Sequence, residues 1–109
     1  MLFVLAAAAA LAAPAAPSVR VDLTLQDHRF TPSEITVPAG VPVEIRLLNR
    51  DGAMEELDSE DLGVEQDVTP HGEARFTLPP MRPGLYRFMG ELHSDTARGQ
   101  IVVIAPVPH

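Results

Sequence analysis

The stretch Tyr86-Arg-Phe-Met-Gly-Glu-Leu-His-Ser-Asp-Thr-Ala-Arg-Gly99 decides how the chain is read. Tyr86 and Phe88 alternate with Arg87 and Met89, the period-two pattern of a half-buried strand. The alternation then stops, and Met89, Glu91, His93 and Asp95 crowd into a few positions. After Gly99 the apolar run Ile101-Val-Val-Ile104 restores strand character. A short polar loop between two core strands is held by a rigid scaffold, which is where binding groups concentrate.

Upstream, Val19, Val21, Leu23 and Leu25 alternate with polar residues and predict another strand. Gln26-Asp-His-Arg29 reads as a turn or bulge, with His28 as an ordinary surface residue. Phe30 to Val37 is an extended run in which Pro32 points to an edge or an irregular position. Pro38-Ala-Gly40 is a tight turn. Val41, Val43, Ile45 and Leu47 predict a strand ending at Asn49, and Arg50-Asp-Gly52 turns the chain. Seven of the fourteen residues from Met54 to Asp67 are acidic. This segment reads as a loop pinned by Leu57, Leu62 and Val64, in which Ser59 before Glu60-Asp61 caps a single helical turn. Ala74, Phe76 and Leu78 alternate as a further strand, and the residues from Pro79 to Gly84 form a wide turn. Six to eight short strands spaced by about ten residues, with turn signals between them, predict an all-β fold, an antiparallel Greek-key β-sandwich.

The bulk properties narrow the function. The 109 residues hold one small domain and no more. Met1 to Ala13 is apolar and uncharged, and Pro14 interrupts it before the roughly 20 residues a membrane span needs. Small residues at Ala13-Pro14-Ala15 suit a leader cleavage site. The expected organisation is a secretory signal peptide over 1–15, a domain over 16–105 and a disordered tail over 106–109. An uncleaved anchor is the alternative for the leader. The mature protein is therefore expected in the periplasm, not spanning the membrane. There is no cysteine, so neither a disulfide nor a thiolate metal site is available. A net charge of −7 disfavours nucleic acid and anionic membrane surfaces and is compatible with cations. No Ser or Cys nucleophile stands in a recognisable frame with a His-Asp pair, and no Gly-rich phosphate loop occurs.

Phe30-Thr-Pro-Ser-Glu-Ile-Thr-Val-Pro-Ala-Gly40, the strand ending at Asn49, and Pro83-Gly-Leu-Tyr-Arg-Phe88 leading to His93 and Gly99 together resemble a cupredoxin. The resemblance spans roughly residues 20 to 104 and implies a cupredoxin-like sandwich. A blue-copper centre needs two His, one Cys thiolate and usually a weak Met. In the cupredoxin pattern the cysteine position falls on Gly90, the axial Met on Ala97 or Arg98, and the first His on Glu55; only His93 is retained. Plain blue-copper electron transfer is thereby excluded. Glu55-Glu-Leu-Asp-Ser59 and Gly90-Glu-Leu-His-Ser-Asp-Thr-Ala-Arg-Gly99 are similar to a narrower group, the small secreted cupredoxin-like proteins encoded beside bacterial high-affinity iron permeases. That resemblance implies an accessory role in iron uptake, by metal binding or by helping copper oxidise ferrous iron, with a membrane iron permease as partner.

In a sandwich of this kind Glu55 and His93 converge at one end. Carboxylate oxygen and imidazole nitrogen suit iron, copper and other transition metals, which makes these two the leading candidate ligands. Glu56, Asp58, Glu91 and Asp95 offer further hard oxygens, and Met54 and Met89 offer soft thioethers suited to Cu(I). Only one of Glu55 and Glu56 faces a site if their segment is extended. The plainer readings are a gap-filling Met89, a solvated acidic face and a structural His93. Three functions follow: an iron- or copper-binding protein of iron uptake, a Cu(I) carrier using the methionines, and a metal-free module that docks to a permease through its acidic segment.

Overall fold

The computed structural model describes residues 17–106. The leader assigned to 1–15 and the end of the tail lie outside these residues. The described residues form nine strands and one short turn of 3-10 helix. The strands are β1 (Val19–Gln26), β2 (Arg29–Thr31), β3 (Glu34–Pro38), β4 (Val43–Asn49), β5 (Glu55–Ser59), β6 (Val64–Val68), β7 (Glu73–Leu78), β8 (Gly84–Gly90) and β9 (Arg98–Ile104). The 3-10 turn spans Glu91–His93, between β8 and β9.

Two sheets face each other. One has the order β2-β1-β4-β7 and the other β3-β9-β8-β5-β6. The expected all-β sandwich is what forms, but the pairing is mixed rather than purely antiparallel. β1 runs parallel to β4 and β3 parallel to β9. The cause lies at Pro32, between β2 and β3. There the chain leaves one sheet and enters the other, so β3 runs along β9 instead of folding back on β2. Both strands flanking Pro32 are edge strands, where a missing backbone donor is tolerated.

The inward positions of each strand make the core. Leu23 and Leu25 of β1, Ile45 and Leu47 of β4, Ile35 and Val37 of β3, and Ile101 and Val103 of β9 are all buried. Full burial of each such side chain is worth about 1.5–3 kcal/mol against exposure. Phe30 and Phe88 meet edge to face across the sandwich, 4.9 Å between centroids at 85°.

The acidic segment is not a loop with a helical turn. It is a hairpin, β5 and β6 joined through Gly63 at φ 66°. Along β5 inward and outward residues alternate: Glu55, Leu57 and Ser59 point in, Glu56 and Asp58 point out. Acid content obscured that period-two pattern; this hairpin supplies two strands beyond those read along the sequence, and the break of the Phe30–Val37 run into β2 and β3 supplies a third. Ser59 still acts as a local cap, its hydroxyl accepting the Leu62 N–H at 3.0 Å and donating to the Arg87 carbonyl at 2.6 Å.

Candidate metal centre

Three connections meet at one end of the sandwich: the β1–β2 turn, the start of β5, and the 3-10 turn after β8. Each contributes one side chain. Glu55 opens β5 on its inward face and is fully buried. The Nδ1 of His28 lies 2.9 Å from Glu55 Oε1, and the Nδ1 of His93 lies 3.0 Å from Oε2. Each carboxylate oxygen therefore accepts from one imidazole. The two rings stack face to face, 3.6 Å between centroids and 17° between planes. Among the described residues, no arginine pairs with Glu55.

His28 is the residue the sequence reading missed. It is not a plain surface residue but one third of this cluster, its side chain 42% exposed and its ring against His93. It sits in a two-residue hairpin turn, closed by the Gln26–Arg29 pair. Asp27 and His28 both take left-handed backbone angles, φ 53° and 56°. Such turns favour Asn-Gly or Asp-Gly, because a side chain on a left-handed residue costs about 1 kcal/mol or more. A histidine where glycine is favoured was the signal available in the sequence.

The turn is anchored. Asp51 Oδ1 accepts the Asp27 N–H at 2.7 Å and Oδ2 accepts the His28 N–H at 3.0 Å. Asp51 is itself held by Asn49, which is buried at the end of β4. Asn49 Oδ1 accepts the Asp51 N–H at 2.9 Å, while its Nδ2 donates to the carbonyls of Ala53 at 2.8 Å and Thr69 at 3.1 Å. The hydrogen bond to Glu55 raises the pKa of His28 above its ordinary 6.5 against the effect of desolvation, and the charges of Glu55, Asp51 and Asp27 add to it. Burial alone would raise the Asp51 carboxyl. The backbone donors of His28 and Asp27, with the imidazoles of His28 and His93, outweigh burial and hold it below 3.8.

The other sequence candidates lie elsewhere. Glu56 and Asp58 face outward on β5, and Glu91 joins them from the 3-10 turn; one oxygen from each falls within 4.8 Å of the others. Partial burial, followed by the charges of Glu91, Asp67 and Glu65, pushes the Glu56 carboxyl above 4.5. Met89 is opposite Asp58 on the outer face of its sheet and is 39% exposed. It does not share a pocket with Glu55, because Phe88 takes the inward position and strand alternation sends Met89 outward. Met54 precedes β5 and is 47% exposed. Asp95 is exposed and belongs to neither cluster.

His28, Glu55 and His93 offer two nitrogens and one oxygen, all within 4.8 Å of one another. Donors around a small tetrahedral ion at about 2.0–2.1 Å sit roughly 3.3 Å apart, close to the imidazole–carboxylate separations found. The donor set fits a borderline transition metal in kind and in reach. Stacked rings keep their lone pairs in two nearly parallel planes, so sharing one ion requires the imidazoles to turn about their side-chain bonds. The position a blue-copper cysteine would take is closed. A Cβ on Gly90 would lie 2.7 Å from the Ala97 methyl and 3.8 Å from Glu55 Oε2.

The histidine-bearing turn between the last two strands places the polar cluster at one end of a small two-sheet β-sandwich. The sequence matches the cupredoxin-like domain family over residues 1–103, and the chain belongs to that family. An uncharacterized protein of Rickettsia prowazekii is 38% identical over 85 residues, covering 78% of this chain and 68% of its own. Auracyanin A, a blue copper protein of Chloroflexus aurantiacus, superposes with a TM-score of 0.69 at 15% identity, over 81% of this chain and 100% of its own. The metal-binding domain of a Cu(I)-exporting P-type ATPase of Streptococcus pneumoniae superposes with a TM-score of 0.67 at 17% identity, over 78% and 84%. At these identities the two structural likenesses are of fold alone.

Proposed function

We propose that the protein binds a transition metal ion through His28, Glu55 and His93, with copper the favoured ion, and that it serves iron uptake in the periplasm. One observation carries the binding site: a fully buried carboxylate whose two oxygens each meet an imidazole nitrogen, with no arginine to balance it among the described residues. Buried carboxylates are costly unless paired or bound to a metal. Two nitrogens and an oxygen suit Cu(II), and iron is within the range of the same donors. The copper proteins among the fold's neighbours support copper as the ion. A bound copper supplies one-electron redox capacity, the chemistry that assistance to ferrous iron oxidation would draw on. The apolar Met1–Ala13 leader supports export, and the two loop motifs support a partnership with a membrane iron permease. Among the described residues, no helix is long and apolar enough to cross a membrane.

Met89 faces away from Glu55, so a Cu(I) carrier built on Met54 and Met89 would not draw on the Glu55 carboxylate. The test is calorimetric titration with Cu(II), Cu(I) and Fe(II), anaerobic where required. Expected is tight Cu(II) binding that vanishes in Glu55→Ala/His93→Ala and weakens in His28→Ala. Cu(I) preference lost in Met54→Ala/Met89→Ala would transfer the function to the carrier reading. Only weak surface association with every ion would remove metal binding and leave the docking module.

A further inference from the structure

We propose that Asp51 is a positioning residue for this site: it fastens the Asp27–His28 turn so that the His28 imidazole is held over Glu55 and against His93. The proposal rests on the reading of His28, Glu55 and His93 as metal donors.

Of the three donors, two are placed by extensive structure. Glu55 lies in a strand paired on both sides, and His93 follows directly from β8, with its carbonyl accepting the Ala97 N–H at 2.9 Å. His28 is different. It projects from a two-residue turn, beyond the last pair of a three-residue edge strand. The turn lacks the glycine that its left-handed backbone favours. Left alone, such a turn has little reason to hold a histidine in one place.

Asp51 supplies the constraint. Its two oxygens are each engaged by a backbone N–H of the turn, one by Asp27 and one by His28. Its own backbone is fixed at both ends: the N–H donates to Asn49, and the carbonyl accepts the His71 N–H at 3.1 Å. The neighbouring Arg50 N–H donates to the Leu25 carbonyl at 2.8 Å, which ties the same segment to the end of β1. Asp51 Oδ2 is 3.6 Å from His28 Nδ1, too long for a hydrogen bond. Asp51 therefore acts on the backbone that carries the imidazole and leaves the ring nitrogens to Glu55 and the ion. Three strands in two sheets, β2 to β4, separate Asp51 from His28 in sequence, and the parallel β1–β4 pairing brings the strand ends together, Leu25 opposite Asn49.

The experiment is a mutant cycle read two ways on the full-length chain: wild type, Asp51→Ala, Asp51→Asn, His28→Ala and Asp51→Ala/His28→Ala. The first reading is Cu(II) affinity. Asp51→Ala is expected to weaken binding about tenfold or more when His28 is present, the range for residues that orient a ligand. In the His28→Ala background it is expected to do almost nothing. Asp51→Asn keeps one acceptor oxygen and falls between. The second reading needs no metal: NMR contacts and mutual ring-current shifts between the His28 and His93 ring protons, expected to be lost in Asp51→Ala while the signals of Leu47 and Ile101 in the core stay in place. Equal loss of affinity in both backgrounds, or an intact ring pair in metal-free Asp51→Ala, overturns the proposal. If the wild type binds no Cu(II), the metal reading fails and the ring contacts alone decide the role of Asp51. If Asp51→Ala does not fold, Asp51→Asn replaces it in both comparisons.

Discussion

Gly90 and Ala97 approach so closely that neither position can grow: a Cβ on Gly90 would stand 2.7 Å from the Ala97 methyl, and the Gly90 N–H donates to the Ala97 carbonyl at 2.8 Å. Backbone angle is not the reason for this glycine. Its φ of −87° is open to any residue, so the constraint is space. Gly90→Ala is expected to lower stability by about 1–3 kcal/mol, the range for overpacking a filled core. Pairing it with Ala97→Gly should recover most of that loss. Gly90→Cys alone is expected not to create the intense visible absorption of a copper thiolate. Denaturant melts of the three variants and a copper-loaded absorption spectrum check both statements.

Glu55 is the hinge of the site's chemistry. Its two oxygens serve two imidazoles, and an amide of the same shape has only one oxygen to offer. Glu55→Gln should therefore keep the fold but require one imidazole to present its unprotonated Nδ1 to the new amide N–H, and the loss of the charge-assisted hydrogen bonds should cost about 1–3 kcal/mol. Cu(II) affinity should fall with it, because the anionic oxygen is gone. Paired calorimetry and denaturation measure the two effects on one preparation.

Much of this architecture can be read along the chain, and the failures have physical causes. Strand β4 alternates buried and half-buried residues without a break, so Ile45 and Leu47 announce themselves. The loop after β8 stands out because Glu91 and His93 interrupt an apolar rhythm. Glu55 and His93 are legible as neighbours through the resemblance in sequence, and the structure brings them together. His28 is not legible in that way, because its place in the cluster depends on the parallel β1–β4 pairing, a long-range event. Only the choice of His over Gly in a two-residue turn hints at it. Met89 is offered as a thioether donor by its proximity to His93 in sequence, but it lies on the outer face of its sheet. The alternation of Met89 with Phe88 along the strand already separates it from the inward-facing Glu55.

Stability of the metal-free protein should vary with pH through His28. Its pKa is raised in the folded state, so the protonated imidazole is favoured by folding. That contribution is present below 6.5, the ordinary value, and is lost as pH climbs through the raised one. Metal affinity should run the other way and increase with pH over the same window, because the ion displaces a proton. On the acid side the order reverses. Hydrogen bonds from Arg46 and Arg75 lower Glu73 from 4.5 to about 2, so its contribution is present above 4.5 and fades as pH falls toward 2. Denaturation midpoints across the range, repeated for His28→Ala, should show the neutral-side slope vanish and the acid-side slope persist.

Glu56 is expected to oppose folding at neutral pH. Partial burial and the surrounding carboxylates of Glu91, Asp67 and Glu65 raise its pKa, so the folded state favours the protonated form. The benefit exists below 4.5 and is lost as pH rises through the raised value. Glu56→Gln should then raise the melting temperature at pH 7, more at low salt than at high salt because exposed charges are screened. The same substitution should leave Cu(II) affinity at the His28–Glu55–His93 cluster nearly unchanged, since Glu56 faces the other side of β5. A melting series with a parallel titration separates the two surfaces.

Asn49 joins the fold to the site, and its loss should be felt in both. It is buried, donates to the carbonyls of Ala53 and Thr69, and accepts the N–H of Asp51. Asn49→Ala leaves three backbone groups without that partner, each worth about 1–3 kcal/mol when buried and unsatisfied. Water reaches part of this region, since Ala53 and Thr69 are exposed, so the total should stay near 2–4 kcal/mol rather than the full sum. The freed Asp51 would hold the Asp27–His28 turn less firmly, so copper affinity should fall even where the variant remains folded. Asn49→Asp provides the contrast. It keeps the acceptor for Asp51 and removes the donor to the carbonyls, so it should destabilise the domain while disturbing the His28–His93 ring contacts less than Asn49→Ala does. Denaturation and ring-proton NMR on the two variants test that ordering, and equal disturbance of the rings in both would detach Asn49 from the site.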